Sequence, residues 1–174
     1  MSQIIPLFKR VSQGTNPKSD IGGRLEKFFL FRLSEKTFTV LAVDVSEVGM
    51  YEKPEQKSGA PDYISGFVTV RGTKVPIVDV RRKMGLEPFQ KASDNTRIIY
   101  FSLTQGLIGM IVDDIEYRLK DGIIATEPHN NEASSQEEKF KIVVIGESRY
   151  PVFLFDELLS AEDFETINKY TASL

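Results

Sequence analysis

The chain has 174 residues, of which 41% are hydrophobic and 27% are charged, and this balance is typical of a globular protein with one large domain or two small lobes. It contains no cysteine, which excludes disulfides, thiolate metal ligands and cysteine nucleophiles. The formal net charge of -3 disfavours a nucleic-acid binder, because such proteins usually carry a basic domain or stripe.

The first 25 residues differ in amino-acid composition from the rest of the chain. They are rich in Ser, Gly, Lys and Asn around one apolar patch, which predicts a flexible N-terminal tail. We expect no signal peptide, because no basic segment is followed by a long apolar run. No stretch approaches the ~20 apolar residues that a membrane helix needs. These features predict a cytoplasmic protein.

Short β-rich runs begin at Phe28. Alternating apolar and polar residues predict strands at 28–33 and 37–43, separated by a short turn. A polar loop then leads to two further strands, 66–70 and 74–80, which flank Gly72. A glycine at this place is typical of a tight turn that needs a positive φ.

The second hairpin is followed by a basic helical turn. Arg81 to Met84 predicts one turn of helix that ends at Gly85. Arg81 and its basic neighbours form the densest cluster of positive charge in the chain, and it is either a solvated turn or a binding patch. Pro76, inside the preceding strand, predicts an edge strand or a bulge because proline cannot donate a ladder hydrogen bond.

A second set of strands is predicted after residue 95. Strands at 96–103 and 107–112 flank a turn, and a short strand follows at 115–119. Another hairpin is predicted over 140–155, and Asp156 is placed to cap a final helix.

The two sets of strands resemble each other at an offset of about 70–75 residues. Val43-Asp44 after the first return strand is echoed by Val112-Asp113, and Gly72 is echoed by Gly146. A loose repeat of this length with short strands predicts two similar small β-barrels packed side by side.

The search for catalytic and ligand-binding motifs finds none. The single histidine, His129, lies in a polar loop without the spacing that fixes metal ligands. Asp113 and Asp114 are adjacent, so on a strand they point to opposite faces and are interpreted as a capped strand end rather than a carboxylate pair. No phosphate-loop or nucleophile-elbow sequence is present. The sequence therefore predicts no enzyme, no cofactor and no metal site.

The segment 63–85, YISGFVTVRGTKVPIVDVRRKMG, strongly resembles the CheW family. That family carries Gly-x-x-Asn-Leu-Arg-Gly, three mostly apolar residues with Pro near their end, and then Val-x-Asp-Leu-Arg. The resemblance extends over roughly residues 28 to 160. It implies a mainly all-β fold of two intertwined five-stranded SH3-like β-barrels with a short C-terminal helix. The expected division is a tail at 1–25 and a domain at 26–174 whose barrels exchange near 95–100.

The resemblance also implies a function. It implies a non-catalytic chemotaxis adaptor that couples the cytoplasmic tips of chemoreceptors (methyl-accepting proteins) to the regulatory domain of a CheA-type histidine kinase. Such an adaptor works in the cytoplasm at membrane-associated chemoreceptor arrays, with no cofactor, nucleic acid or membrane insertion.

Four residues match positions that the family uses at or near its receptor-facing surface: Val45, Glu47, Gly66 and Arg71. We hypothesise that Arg71 and Glu47 pair across neighbouring strands and shape that surface. The alternative is an exposed pair that contributes only about 0–1 kcal/mol. Gly66 and Gly72 also have a simpler explanation, since each can permit a turn or a close backbone approach.

Three other interpretations stay open at this stage. The chain could be a CheW-like scaffold of a gliding or pilus pathway with atypical partner choice. It could be a domain of a larger kinase or receiver protein, although the final helix looks like a natural end. It could also be a small β-barrel enzyme or nucleic-acid binder, which the net charge and the lack of motifs disfavour.

Overall fold

The computed structural model describes residues 23–104, 106–125 and 140–174 of the chain. The predictions made for most of the N-terminal tail, for His129 and for the polar loop at 126–139 lie outside the described residues. In the part that is described, no helix is both long and apolar enough to cross a membrane.

Within the described residues the chain forms ten strands and three short helices. The strands are β1 Leu25–Leu33, β2 Lys36–Leu41, β3 Val45–Met50, β4 Ile64–Val70, β5 Thr73–Val78, β6 Arg97–Leu103, β7 Gly106–Val112, β8 Asp114–Ile124, β9 Lys141–Ile145 and β10 Ser148–Val152. The helices are α1 Arg81–Met84, α2 Phe155–Leu158 and α3 Ala161–Ala172, and a short 3-10 turn occupies Ala42–Asp44.

The strands form two five-stranded sheets. The first, here called barrel A, is a closed barrel in the order β1-β2-β10-β9-β8. The second, here called sheet B, has the order β3-β6-β7-β5-β4, so β3 and β4 are its end strands. This confirms the expected mainly β fold with two five-stranded, SH3-like units and short C-terminal helices.

The two units are intertwined, because each takes strands from both halves of the chain. Strands β1 and β2 belong to barrel A, β3 to β7 to sheet B, and β8 to β10 again to barrel A. The internal repeat is visible in the pairing: β10 runs parallel to β2 at Val152↔Thr39, as β5 runs parallel to β7 at Ile77↔Gly109.

The position of the exchange differs from the expectation. The chain passes between the units at the 3-10 turn Ala42–Asp44 and at Asp113, between β7 and β8. It does not pass near 95–100, because β5, before that region, and β6, which begins within it at Arg97, lie in the same sheet. The sequence repeat shows only where its second copy begins. The point at which the chain passes from one unit to the other depends on which distant strands pair, and the repeat does not show this.

One large hydrophobic cluster joins the two units. It contains Phe31 of barrel A, Phe101 of sheet B and Phe153 next to β10. The rings of Phe101 and Phe155 meet edge to face with centroids 4.5 Å apart. Burial of each such ring contributes about 1.5–3 kcal/mol, so the units share a core and do not merely touch.

The C-terminal helix is divided where the sequence predicts one element. Asp156 lies inside the single turn α2, and α3 begins after Ser160. Ser160 Oγ accepts a hydrogen bond from Asp163 N at 3.1 Å, and Asp163 Oδ2 accepts one from Ser160 N at 2.9 Å. This capping box satisfies donors at the helix start, so Ser160 and not Asp156 begins the long helix.

Pro76 does not mark an edge strand. Strand β5 lies between β4 and β7, and its parallel pairing with β7 starts at Ile77, one residue beyond the proline. The β4–β5 ladder does shift register, but on β4 between Ile64 and Gly66, while Pro76 pairs in register with Phe67, so the bulge predicted at Pro76 is wrong as well.

Candidate functional site

The β4–β5 turn presents Arg71 at one corner of sheet B. Arg71 and Gly72 both have positive φ, 49° and 79°, as the two central residues of a type I′ hairpin turn require. Glycine adopts this conformation at little cost, whereas arginine does so less readily. The tight turn therefore fixes the backbone position of Arg71 at the end of the β4–β5 hairpin.

Arg71 forms an ion pair with Glu47 of β3. The Nη2 atom of Arg71 lies 2.6 Å from Oε2 of Glu47, and the two side chains are 40% and 31% exposed. The hypothesised pair is therefore present, but its strands are not neighbours. Strands β3 and β4 are the two ends of sheet B, so the pair links the ends of that sheet.

Gly66 lies beneath the segment that follows β3. A Cβ atom placed there would lie 2.4 Å from the carbonyl oxygen of Glu55 and 3.0 Å from Cβ of Pro54, and Gly66 has φ +137°. The neighbouring Phe67 exchanges two backbone hydrogen bonds with Glu55, of 2.8 and 2.9 Å. Both the space and the backbone conformation therefore require glycine at this position.

A second ion pair lies on the same corner of sheet B. Lys74 Nζ is 2.6 Å from Oε2 of Glu55, on the segment that covers Gly66. The hydrogen bond from Lys74, helped by its charge, lowers the pKa of the Glu55 carboxyl. We call the four charged side chains Glu47, Glu55, Arg71 and Lys74 the candidate surface.

Val45 is not part of that exposed surface. Its side chain is only 4% exposed and belongs to the large hydrophobic cluster. It therefore anchors the start of β3 from below, two residues before Glu47, and any effect of Val45 on a partner passes through the position of β3.

A buried ion-pair network was missed by the sequence analysis. Arg81 is 1% exposed, so the interpretation as a solvated turn is wrong for this residue. Its Nη1 atom lies 2.9 Å from Asp79 Oδ1 and donates to the carbonyl of Ile111 at 3.2 Å. Its Nη2 atom lies 2.9 Å from Asp113 Oδ2. We call Asp79, Arg81 and Asp113 the central network.

The central network also holds the loop after α1. The backbone N–H of Phe89 donates to Asp79 Oδ2 at 2.8 Å, and the Arg81 guanidinium lies 5.5 Å from the centre of the Phe89 ring. The spacing Asp-x-Arg directly after a strand was the available sequence signal. The charges in the sequence alone could not reveal the central network, because the sequence does not show that Arg81 is buried.

A cavity of about 640 Å³ lies beside the central network. Its wall includes Asp113, Ser34 and Phe89, and Arg32, Glu35 and Lys91 also line it. Charges of both signs are mixed around it, which does not define one class of ligand. In the described parts of the chain, no group of three or more acidic or histidine side chains is arranged to hold a metal.

Comparisons with known proteins place this chain among similar sequences and folds. The family described as the CheW-like domain matches residues 27–156. A chemotaxis protein CheW from Klebsiella aerogenes is 24% identical over 150 residues, which cover 85% of this chain and 90% of that protein. A chemotaxis protein CheW from Bacillus subtilis is 30% identical over 89 residues, which cover 51% of this chain and 56% of that protein.

The fold is also found among solved structures. One of these is the scaffolding protein TtCheW from Thermoanaerobacter tengcongensis, which superposes with a TM-score of 0.66 at 21% sequence identity. The match covers 80% of this chain and 96% of that one.

Proposed function

The chain belongs to the CheW-like domain family, and from this premise we propose that it is a non-catalytic adaptor that couples chemoreceptor tips to a CheA-type histidine kinase. The names of its relatives, chemotaxis protein CheW, favour a chemotaxis pathway over the alternative of a gliding or pilus pathway. The proposal places the protein in the cytoplasm, at receptor arrays, and assigns the role to residues 26–174.

The ion pair between Glu47 and Arg71 is the observation that carries the proposed receptor site. Both residues match receptor-facing positions of the family, and the 2.6 Å contact places them together on an exposed corner. An exposed pair of this kind adds little to stability, about 0–1 kcal/mol, so the proposed role in recognition rests on the match to receptor-facing positions of the family. Charged groups at the rim of an interface select partners and steer their approach.

In this proposal the adaptor acts by holding the receptor and the kinase in position relative to each other. An interface of a transient signalling complex often buries about 1,200 Å² or less in total, so each pairwise contact is weak and an array gains strength from many contacts together. A partner that binds one kinase conformation better than another shifts the population of kinase states by its difference in affinity. The chain therefore needs no chemistry of its own.

A binding experiment with separate partners tests the proposal. We would measure the affinity of the full chain for a receptor-tip fragment and for the kinase regulatory domain, in wild type and in Arg71→Glu. We expect Arg71→Glu to lose receptor affinity by about tenfold or more, which corresponds to about 1.4 kcal/mol, and to keep kinase binding. The matched control is Arg149→Glu, an exposed arginine of barrel A, which should leave receptor affinity unchanged.

The double variant Glu47→Arg/Arg71→Glu separates two modes of recognition. If the pair only shapes the surface, reversing both charges restores receptor affinity. If Arg71 contacts the receptor directly, affinity stays low. Receptor affinity equal to wild type in Arg71→Glu contradicts the site, and binding of neither partner by wild type contradicts the adaptor role.

A further inference from the structure

Asp113 occupies one of the two places where the described chain passes between barrel A and sheet B. It follows β7, the middle strand of sheet B, and precedes β8, a strand of barrel A. At such a crossover the backbone alone is a flexible joint, so the orientation of the two units depends on the side-chain and backbone contacts made around it.

Asp113 makes contacts on both sides of this crossover. Toward barrel A, its backbone N–H donates to the carbonyl of Arg32 at 2.9 Å, and its Oδ2 atom accepts a hydrogen bond from the backbone N–H of Ser34. Toward sheet B, the same Oδ2 atom lies 2.9 Å from Nη2 of Arg81. One carboxylate oxygen is therefore shared by the β1–β2 turn of barrel A and a residue held by sheet B.

Arg81 is itself fixed to sheet B. Asp79 and the Ile111 carbonyl hold its Nη1 atom, and Asp79 directly follows β5. Its Nη2 atom is buried and has no hydrogen bond of regular geometry within the described structure. The ion pair with Asp113 is what balances that end of the guanidinium, and an unbalanced buried charge is strongly unfavourable.

The geometry restricts movement between the units. A rotation that carries Ser34 and Arg32 away from Arg81 must separate Asp113 from one side or the other. Separation from Arg81 leaves a buried guanidinium end without its partner, which costs free energy, whereas separation from Ser34 breaks a hydrogen bond between partly buried groups. Surface ion pairs tolerate such motion because water replaces the partner, whereas Arg81 is almost fully enclosed.

The central network also reaches the strand that carries the candidate surface. Phe89, which is held by Asp79, packs against Tyr51 with ring centroids 5.5 Å apart. Tyr51 directly follows β3, which contains Glu47. The contacts therefore run from the β1–β2 turn of barrel A through Asp113, Arg81 and Phe89 to the end of β3.

We propose that Asp113 is a positioning residue that, together with the shared core, restricts the orientation of sheet B relative to barrel A through Arg81 and Ser34. The proposal does not depend on which partner binds, because the orientation is a property of the isolated chain. It deepens the adaptor function by giving one surface of the protein a fixed direction relative to the other.

Distance measurements between spin labels test the proposal. The chain has no cysteine, so Thr73→Cys and Ser148→Cys, at the exposed first residues of β5 in sheet B and of β10 in barrel A, would be labelled selectively. The distance distribution would be recorded in this background and after Asp113→Asn, which keeps an acceptor for Ser34 but removes the charge facing Arg81. The matched control is Asp114→Asn, because the Asp114 carboxylate accepts a hydrogen bond from the backbone N–H of the next residue in β8, Ile115.

We expect Asp113→Asn to shift or broaden the distance distribution, and Asp114→Asn to leave it unchanged. A second variant, Asp79→Asn/Arg81→Met/Asp113→Leu, removes all three charges of the central network together, so neither a buried guanidinium nor a buried carboxylate is left unpaired. It should fold and show the same broadening. A distance distribution equal to that of wild type in this folded variant would overturn the proposal. The central network would then contribute to stability alone. This conclusion holds whatever the outcome of the receptor and kinase experiments.

Discussion

At the scale of single residues, two adjacent arginines show how strongly environment changes the role of one side chain. Arg81 is enclosed between Asp79 and Asp113, whereas Arg82 is 42% exposed and pairs with Asp62 at 3.5 Å. Both were read as one basic cluster from sequence. Only the fold separates a charge held inside the protein from one held at its surface.

Replacement of these two arginines should therefore have unequal effects. We expect Arg81→Ala to lower the free energy of unfolding by about 3–5 kcal/mol, because it leaves two carboxylates without their cation. Arg82→Ala should cost less than about 1 kcal/mol, as exposed pairs do. Urea unfolding measures both values, and similar losses in the two variants would show that the burial of Arg81 is unimportant.

Gly66 and Gly72 differ in the space around them, although both have positive φ. A Cβ at Gly66 meets the backbone of Glu55, whereas a Cβ at Gly72 meets nothing within 4 Å. We expect Gly66→Ala to displace the segment that carries Glu55 and to weaken receptor binding. Gly72→Ala should only add backbone strain of about 1 kcal/mol and keep that binding. Chemical shifts of Glu55 and receptor affinity check this, and unchanged affinity in Gly66→Ala would contradict it.

Two tyrosines should titrate late. Burial raises the pKa of both Tyr63 and Tyr100 to about 12. In the unfolded chain these hydroxyls ionise near pH 10, so their contribution to stability is complete below pH 10 and is lost as pH rises from about 10 toward 12. Of the six tyrosines, we expect two to ionise last in an absorbance titration, with stability falling over that range. Phe at both positions should remove this part of the pH dependence.

Among the residue-scale predictions, the contact between Glu47 and Arg71 is present, while their role at a receptor-facing surface stays a prediction. Glu47 and Arg71 were identified as a pair because their positions and opposite charges agreed. Asp113 was interpreted as a strand end, which is correct for its place in the chain but misses its contact with Arg81. That contact joins residues 32 positions apart, one in α1 and the other between β7 and β8, and no local pattern records it.

At the scale of elements, turns and caps were predicted with uneven success. Gly85 ends α1 with φ 68°, and Gly72 completes the β4–β5 turn, because both positions need a conformation that glycine favours. The C-terminal helix was predicted as one piece, because its apolar residues continue through Leu158 and Leu159. The capping box at Ser160 is a short-range pattern that the sequence does contain, and it decides where α3 begins.

The capping box gives a prediction for α3. We expect Ser160→Ala to lower the free energy of unfolding by about 1 kcal/mol, because the N–H of Asp163 loses its acceptor. Thr166→Ala is the control, since the hydroxyl of Thr166 donates back to the carbonyl of Glu162 and takes no part in the cap, and alanine favours a helix. Thermal unfolding compares the variants, and an equal loss in both would show that α3 does not depend on its cap.

At the scale of the whole molecule, the repeat was predictable and the exchange was not. The echo between the halves predicted two similar β units, which the structure contains. The pairing partner of each strand could not be predicted in this way. Strand β1, for instance, pairs with the distant strand β8, with Phe31 opposite Ile115. Pairings over such distances in sequence are chosen by the shared core, and local strand patterns are the same for either choice.

The exchange of strands predicts that the two repeats cannot fold separately. Fragment 1–95 holds two strands of barrel A and three of sheet B, and fragment 96–174 holds the remainder. We expect each fragment alone to lack a cooperative unfolding transition, and an equimolar mixture to recover the β-sheet spectrum. A folded monomer of either fragment would contradict this, and size measurements would distinguish a monomer from a self-associated product.

The two crossovers also determine how the protein responds to mechanical tension. In a protein whose halves merely adhere, a pull on opposite sides opens the contact and leaves each half intact. Here the backbone at Ala42–Asp44 and at Asp113 runs from one unit into the other, so the same pull must unravel strands before the units separate. We therefore expect stretching by optical tweezers to produce one rupture of the whole domain and no earlier, smaller step.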